Sequence, residues 1–168
     1  MASKTISNQL GAAPTAFTIT SAGTLSSSAT VGAQSAAVTL ADANNNSGLW
    51  LTIGIAPTLS TGSLGSDKAA YFWLAESIDG TNYTGGNPAV SGIDAGYTFA
   101  NAPVGSGALP TPLRFLGAVV FNAQSQSLRR QFTIWTPARK IVIVALNYSG
   151  ISFSSFSAQY QKTFGDIR

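Results

Sequence analysis

Residues 49–55 read Leu49-Trp50-Leu51-Thr52-Ile53-Gly54-Ile55, with Leu or Ile at every odd position and Trp, Thr or Gly at every even one. Side chains of an extended chain alternate between two faces, so this stretch predicts a strand with one buried aliphatic face. Just upstream, Asp42-Ala43-Asn44-Asn45-Asn46-Ser47-Gly48 is a turn by composition, because Asn and Gly tolerate positive φ. Further back, the pairs Phe17/Ile19 and Val38/Leu40 mark two short strands joined by a Ser/Gly-rich linker.

Downstream, a loop over 57–67 leads into residues 68–76, which are apolar on both faces and aromatic-rich. Such a run belongs in the middle of a sheet covered on both sides. Asp79-Gly80 is a tight-turn signal. Residues 85–112, punctuated by Gly and Pro, read as a surface excursion with one short strand near Tyr97 and Phe99. Residues 114–121, 128–134 and 140–146 are strand-like, and 151–164 reads as one or two weak edge strands. Phe121, Leu128, Phe132 and Trp135 also fall at helical spacing; a strand is preferred there because Thr and Ile enrichment and the neighbouring strands agree with it. The expected fold is all-β: a single antiparallel β-sandwich, jelly-roll-like, over residues 36–168, with an extended N-terminal arm or added strands over residues 1–35.

Composition narrows the chemistry. The 168 residues suit one domain, and 45% of them are hydrophobic while only 9% are charged, against about 25% in an ordinary domain. That excludes charge-rich disorder, coiled coils and helix bundles. Cys and His are both absent, which removes disulfides, Cys/His zinc sites, thiol nucleophiles and Ser-His-Asp triads. No cofactor is expected. No apolar run nears the ~20 residues of a membrane span, and Met1-Ala2-Ser3-Lys4-Thr5 opens no signal-peptide core, so no membrane role is expected and the protein is expected to act inside the cell or as part of something carried out of it.

Candidate sites are few. Glu76, Asp79, Asp67 and Asp94 could supply an acid pair for glycoside hydrolysis, but Asp79 reads as a turn residue and Glu76 as the solvated end of a strand, so no enzyme is expected. Asp79 and Asn82 could hold Ca²⁺, yet the twelve-residue EF-hand pattern is missing. The sequons at Asn45, Asn82 and Asn147, the Gly105-Ser106-Gly107 cluster and Ser66-Asp67-Lys68 carry no motif context. Trp50, Trp73, Trp135, Tyr83, Tyr97 and Tyr148 could stack on sugars as in a carbohydrate-binding β-sandwich, although Trp73 sits in a run too apolar to be outside.

Charge is unevenly distributed. Residues 1–100 carry two lysines against five acids, net −3; residues 101–168 carry seven cations against Asp166, net +6. Arg129, Arg130, Arg139 and Lys140 therefore read either as a basic face for a protein partner or as strand-end charges that keep an apolar region soluble; nucleic acid is the less favoured partner, since cations and aromatics are not interleaved. An exterior of Ser, Thr, Ala and Gly is well suited to being covered by neighbours, because desolvating a hydroxyl costs less than desolvating an unpaired charge. Ordering some thirty Ser/Thr-rich N-terminal residues costs roughly 1–2 kcal/mol each, which Phe17, Ile19 and Leu25 alone do not offset, so strand pairing must supply the rest. Phe17 and Ile19 are accordingly expected to anchor contacts between subunits.

Leu64-Gly65-Ser66-Asp67-Lys68 with Tyr71, Asp79-Gly80-Thr81-Asn82-Tyr83, Leu113-Arg114-Phe115-Leu116-Gly117 and Pro137-Ala138-Arg139-Lys140, followed by Val142, Val144, Asn147 and Ser149-Gly150, span about residues 49–165. In these the chain resembles small β-rich structural proteins of tailed bacteriophages. The resemblance implies a virion component: a capsid decoration or cement protein, with a tail, neck or adaptor protein as the alternative. Its implied partners are the major capsid protein or another virion structural protein and further copies of itself, a trimer being favoured.

Overall fold

The computed structural model describes residues 13–40, 49–85, 88–103 and 113–163. Within them run ten strands: β1 (Thr15–Ala16), β2 (Val31–Gln34), β3 (Val38–Thr39), β4 (Leu49–Leu59), β5 (Ala69–Ser77), β6 (Ala95–Thr98), β7 (Arg114–Val120), β8 (Arg130–Thr136), β9 (Lys140–Tyr148) and β10 (Phe153–Thr163). A single 3-10 turn, Thr20–Ala22, interrupts them among the described residues. They form an antiparallel β-sandwich. One sheet has the order β1-β10-β4-β8; the other is β6-β2-β9-β5-β7, with β3 also pairing β9. The chain passes repeatedly from one sheet to the other, so most contacts join residues far apart in sequence.

β4 shows how the pattern becomes packing. Leu51, Ile53, Ile55 and Leu59 are buried between the sheets, and Trp50, Thr52, Gly54 and Ala56 face outward. The strand runs past Pro57, where the sequence suggested a loop. Pro57 accepts a hydrogen bond from the Leu128 N–H at 3.1 Å, and its missing N–H falls on that same side, beyond Arg130, the first residue of β8, where the β4–β8 ladder ends. No ladder bond is lost, so proline is tolerated there.

Across the gap, β5 and β9 contribute Ala70, Phe72, Leu74, Ile141, Ile143 and Ala145, all fully buried. Their alternate residues, Trp73, Ala75, Val142, Val144 and Leu146, are buried on the far side of the same sheet under Val90, Tyr97, Phe99 and Leu113. The six-stranded sheet is thus packed on both faces, as the sequence of residues 68–76 predicted; the four-stranded sheet is packed on one.

Two expectations require correction. The first concerns the boundary at residue 36: of the arm or added strands expected over residues 1–35, the described residues 13–35 contribute strands that are built into the sandwich. β1 pairs β10, the Phe17 N–H bonds the Ala158 carbonyl at 2.9 Å, and Phe17, Ile19, Ala22 and Leu25 belong to the central core. β2 then lies inside the other sheet, between β6 and β9. The ordering entropy of this segment is offset within its own chain. Residues 1–12 lie outside the described residues. The second correction concerns β10, which is an eleven-residue interior strand between β1 and β4 and not a weak edge. A bulge between Phe153 and Ser155 shifts its alternation by one residue, which hides the period-two pattern of Phe156, Ala158 and Tyr160.

Candidate interaction surfaces

The two outer faces of the sandwich differ in chemistry. On the six-stranded sheet the ground is aromatic. Tyr71 stacks beside Trp73 with ring centroids 6.3 Å apart, and Trp73 meets Phe99 at 5.1 Å and Phe115 at 5.8 Å. Trp73 is buried, but Phe115 is 56% exposed and Val120, on the same face of β7, is 62% exposed. Burial raises the Tyr71 phenol above its ordinary pKa, with Asp67 adding to the shift, so this ring stays neutral.

The sandwich is closed at one side by β7 and β8, the outermost strands of the two sheets. Arg114 bridges them: its Nη1 donates to the Trp135 carbonyl at 2.7 Å and stands 3.5 Å from Glu76 Oε1. That Trp135 carbonyl therefore points away from β4, which makes Trp50 and Trp135, opposite each other in register, a narrow non-hydrogen-bonded pair with side chains at their closest.

Both indoles stand on the outer face of the four-stranded sheet, Trp50 52% and Trp135 46% exposed. The remainder of that face is hydroxyl and amide: Thr52 and Thr133 opposite each other, then Gln131, Ser157, Gln159 and Gln161. No described carboxylate lies on these strands. Where β4 has Gly54 a groove of about 130 Å³ opens, walled by Gln131, Ser157 and Gln159 and bordered by Arg129 and Arg130.

The four basic residues singled out in the sequence do not form one patch. Arg129 and Arg130 lie at one end of β8, a strand of seven residues that begins with Arg130, and Arg139 and Lys140 lie beyond its other end, roughly 20 Å away. Phe17 and Ile19, expected at a subunit interface, are 5% exposed and fill the chain's own core, so they offer nothing to a partner. Phe115 and Val120 carry exposed apolar area that the sequence reading did not single out, whereas Trp135, named there among the aromatics that could stack on sugars, is exposed. The exposure of Trp135 could have been found from its phase, since it alternates with Ile134; that of Phe115 could not, because β7 is bulged opposite Phe72/Trp73.

The carboxylates have local structural partners. Asp79 accepts from Ser77 Oγ, the backbone N–H groups of Thr81 and Asn82, and Asn82 Nδ2, which hold its pKa well below the usual range. Asp94 accepts from Thr20 and Ser21 through both backbone and hydroxyl groups, pinning the 3-10 turn to the segment before β6. Among the described residues no three acidic groups are gathered as a metal site would need. No helix of the described residues is long and apolar enough to cross a membrane.

No family model, curated protein or solved structure matches the chain.

Proposed function

We propose that the protein is a non-enzymatic structural subunit of a virion: a capsid decoration or cement protein that reinforces junctions between major capsid protein subunits and assembles as a homo-oligomer, a trimer being favoured. The observation that carries this reading is the apolar margin of the six-stranded sheet at β7, its outermost strand, where Phe115 and Val120 on one face are more than half exposed and Phe115 packs against Trp73. Protein interfaces are organised around such anchors, apolar at the centre and depleted of charge. The shortage of ionic groups over the chain, 9% of residues, supports the same reading, since copies crowded on a shell need not repel one another.

Strand order adds support by analogy. With β3 and β6 set aside, the eight remaining strands counted along the chain lie in the orders 1-8-3-6 and 2-7-4-5, which supports reading the sandwich as jelly-roll-like. That architecture recurs in capsid and lectin domains, a fold-level analogy that supports the virion reading.

The test is addition of the purified protein to shells assembled from the major capsid protein of the same phage. Cosedimentation is expected, and Phe115→Ser/Val120→Ser is expected to abolish it while leaving the melting temperature unchanged. Electron microscopy should find the protein across the shell. Density confined to one vertex would move it to the neck, tail or an adaptor ring, and an absence of cosedimentation would remove the decoration reading.

A further inference from the structure

We infer that the outer face of the four-stranded sheet binds an extended acidic polysaccharide, with sugar rings on Trp50 and Trp135 and a carboxylate at the arginine-bordered groove over Gly54. This goes beyond attachment to a shell, which uses the opposite face.

Three observations converge on it. The first is the pair of indoles, roughly half exposed on adjacent strands, in a position where water or a ligand must cover them. Indole faces stack on the apolar C–H side of a sugar ring. The second is what surrounds them: Thr52, Thr133, Gln131, Gln159 and Ser157 offer hydroxyl and amide groups, each able to donate and accept, as sugar hydroxyls require. The third is charge. Among the described residues the only ion pair is Arg114–Glu76, so Arg129 and Arg130 beside the groove are matched by no described carboxylate, and no described acid lies on the strands of this sheet. Unmatched arginines lining a cleft favour an anion there, and bidentate hydrogen bonding by a guanidinium favours a carboxylate.

The geometry discriminates between ligand classes. Gly54 and Trp50 are four residues apart on one strand, roughly 13 Å, so one ligand touching both must be longer than a single sugar. An extended peptide gains its affinity by pairing with a sheet edge, and these groups lie on a sheet face. A nucleic acid would meet cations along its whole length, whereas the stretch from Gln131 to Trp135 carries none.

Affinity electrophoresis of the full chain in polygalacturonate, with neutral dextran and poly-glutamate as comparison polymers, tests this. Polygalacturonate should retard the protein and quench its tryptophan fluorescence. Trp50→Ala and Trp135→Ala should each weaken binding about tenfold. Arg129→Gln/Arg130→Gln should abolish the preference for polygalacturonate over dextran. Gln131→Glu, a surface change that places a negative charge at the groove, should do the same without threatening the fold. The inference is overturned if polygalacturonate does not bind, if its binding ignores both tryptophans, if dextran binds equally well, or if poly-glutamate binds as tightly with the same residue dependence, which would make the ligand an acidic protein segment. Because Phe115 and Val120 are untouched, loss of sugar binding and loss of shell binding are separable results.

Discussion

Gly117 in β7 lies directly against the ring of Phe132 in β8: a Cβ added to Gly117 would stand 2.5 Å from Phe132 Cε1. Gly117 also has φ +152° and lies at the bulge of β7, opposite Phe72. The two strands form no ladder, so this contact and the Arg114 bridge are what close that side of the sandwich. Gly117→Ala should destabilise the fold by about 1–3 kcal/mol through overpacking, read from chemical denaturation. In a Phe132→Leu background the penalty should shrink, because the obstructing ring is gone; equal penalties in both backgrounds would mean that backbone strain alone is responsible.

The N-terminal segment provides a second measurement. Phe17 is buried and meets Tyr160 edge-on at 5.3 Å. Phe17→Ala should cost about 3 kcal/mol, as for other buried aromatics. A detachable arm would leave the unfolding free energy of the isolated protein unaltered.

Asp94 makes stability depend on acid. Burial raises its pKa, but the side-chain and backbone hydrogen bonds from Ser21 and Thr20 outweigh burial and lower it to about 2. A depressed carboxylate stabilises the fold above its unfolded pKa, about 3.9, and the contribution disappears as pH falls toward 2. Melting temperature should therefore fall between pH 4 and pH 2. Asp94→Asn should lower it at pH 7 and flatten its decline in that window, to the extent that Asp94 is responsible for it.

A buried amide holds the crossover from β9 to β10. Asn147 is fully buried; its Nδ2 donates to the carbonyls of Leu25 at 2.9 Å and Ile151 at 2.7 Å, and its Oδ1 accepts from Ser149. Asn147→Ala should cost about 1–3 kcal/mol, since it strands polar partners away from water. The same burial makes this sequon inaccessible to modification in the folded protein.

Where one side-chain type dominated each face, the sequence was enough to place the strands. Residues 49–55, 68–76 and 140–146 carry their burial in their alternation or in an unbroken apolar run, and the all-β sandwich follows from them. The segments that misled are those in which small or polar residues occupy strands. In β10, Ser and Gln hold the outward positions and a bulge breaks the period. In residues 17–25, isolated buried residues (Phe17, Ile19, Ala22, Leu25) among Ser, Thr and Gly are too sparse to register as a core element, although Phe17 and Leu25 are fixed by backbone bonds to β10. The candidate surfaces were half legible. Trp50 was visibly out of phase with its neighbours, whereas the grouping of Trp135, Gln159 and Gly54 depends on strand order, which no local pattern encodes.

β9 runs through the middle of the six-stranded sheet with residues Ile141 to Leu146 inaccessible from either side. Its inward side chains belong to one cluster and its outward ones to another. Deuterium can reach these amides only when both layers release the strand, so their exchange should report the whole molecule opening. Peptides from β1 and β6, at the outer margins of the two sheets, should label first. A mass-spectrometric time course would then rank the strands by how many layers guard them, with β9 as the last clock to start.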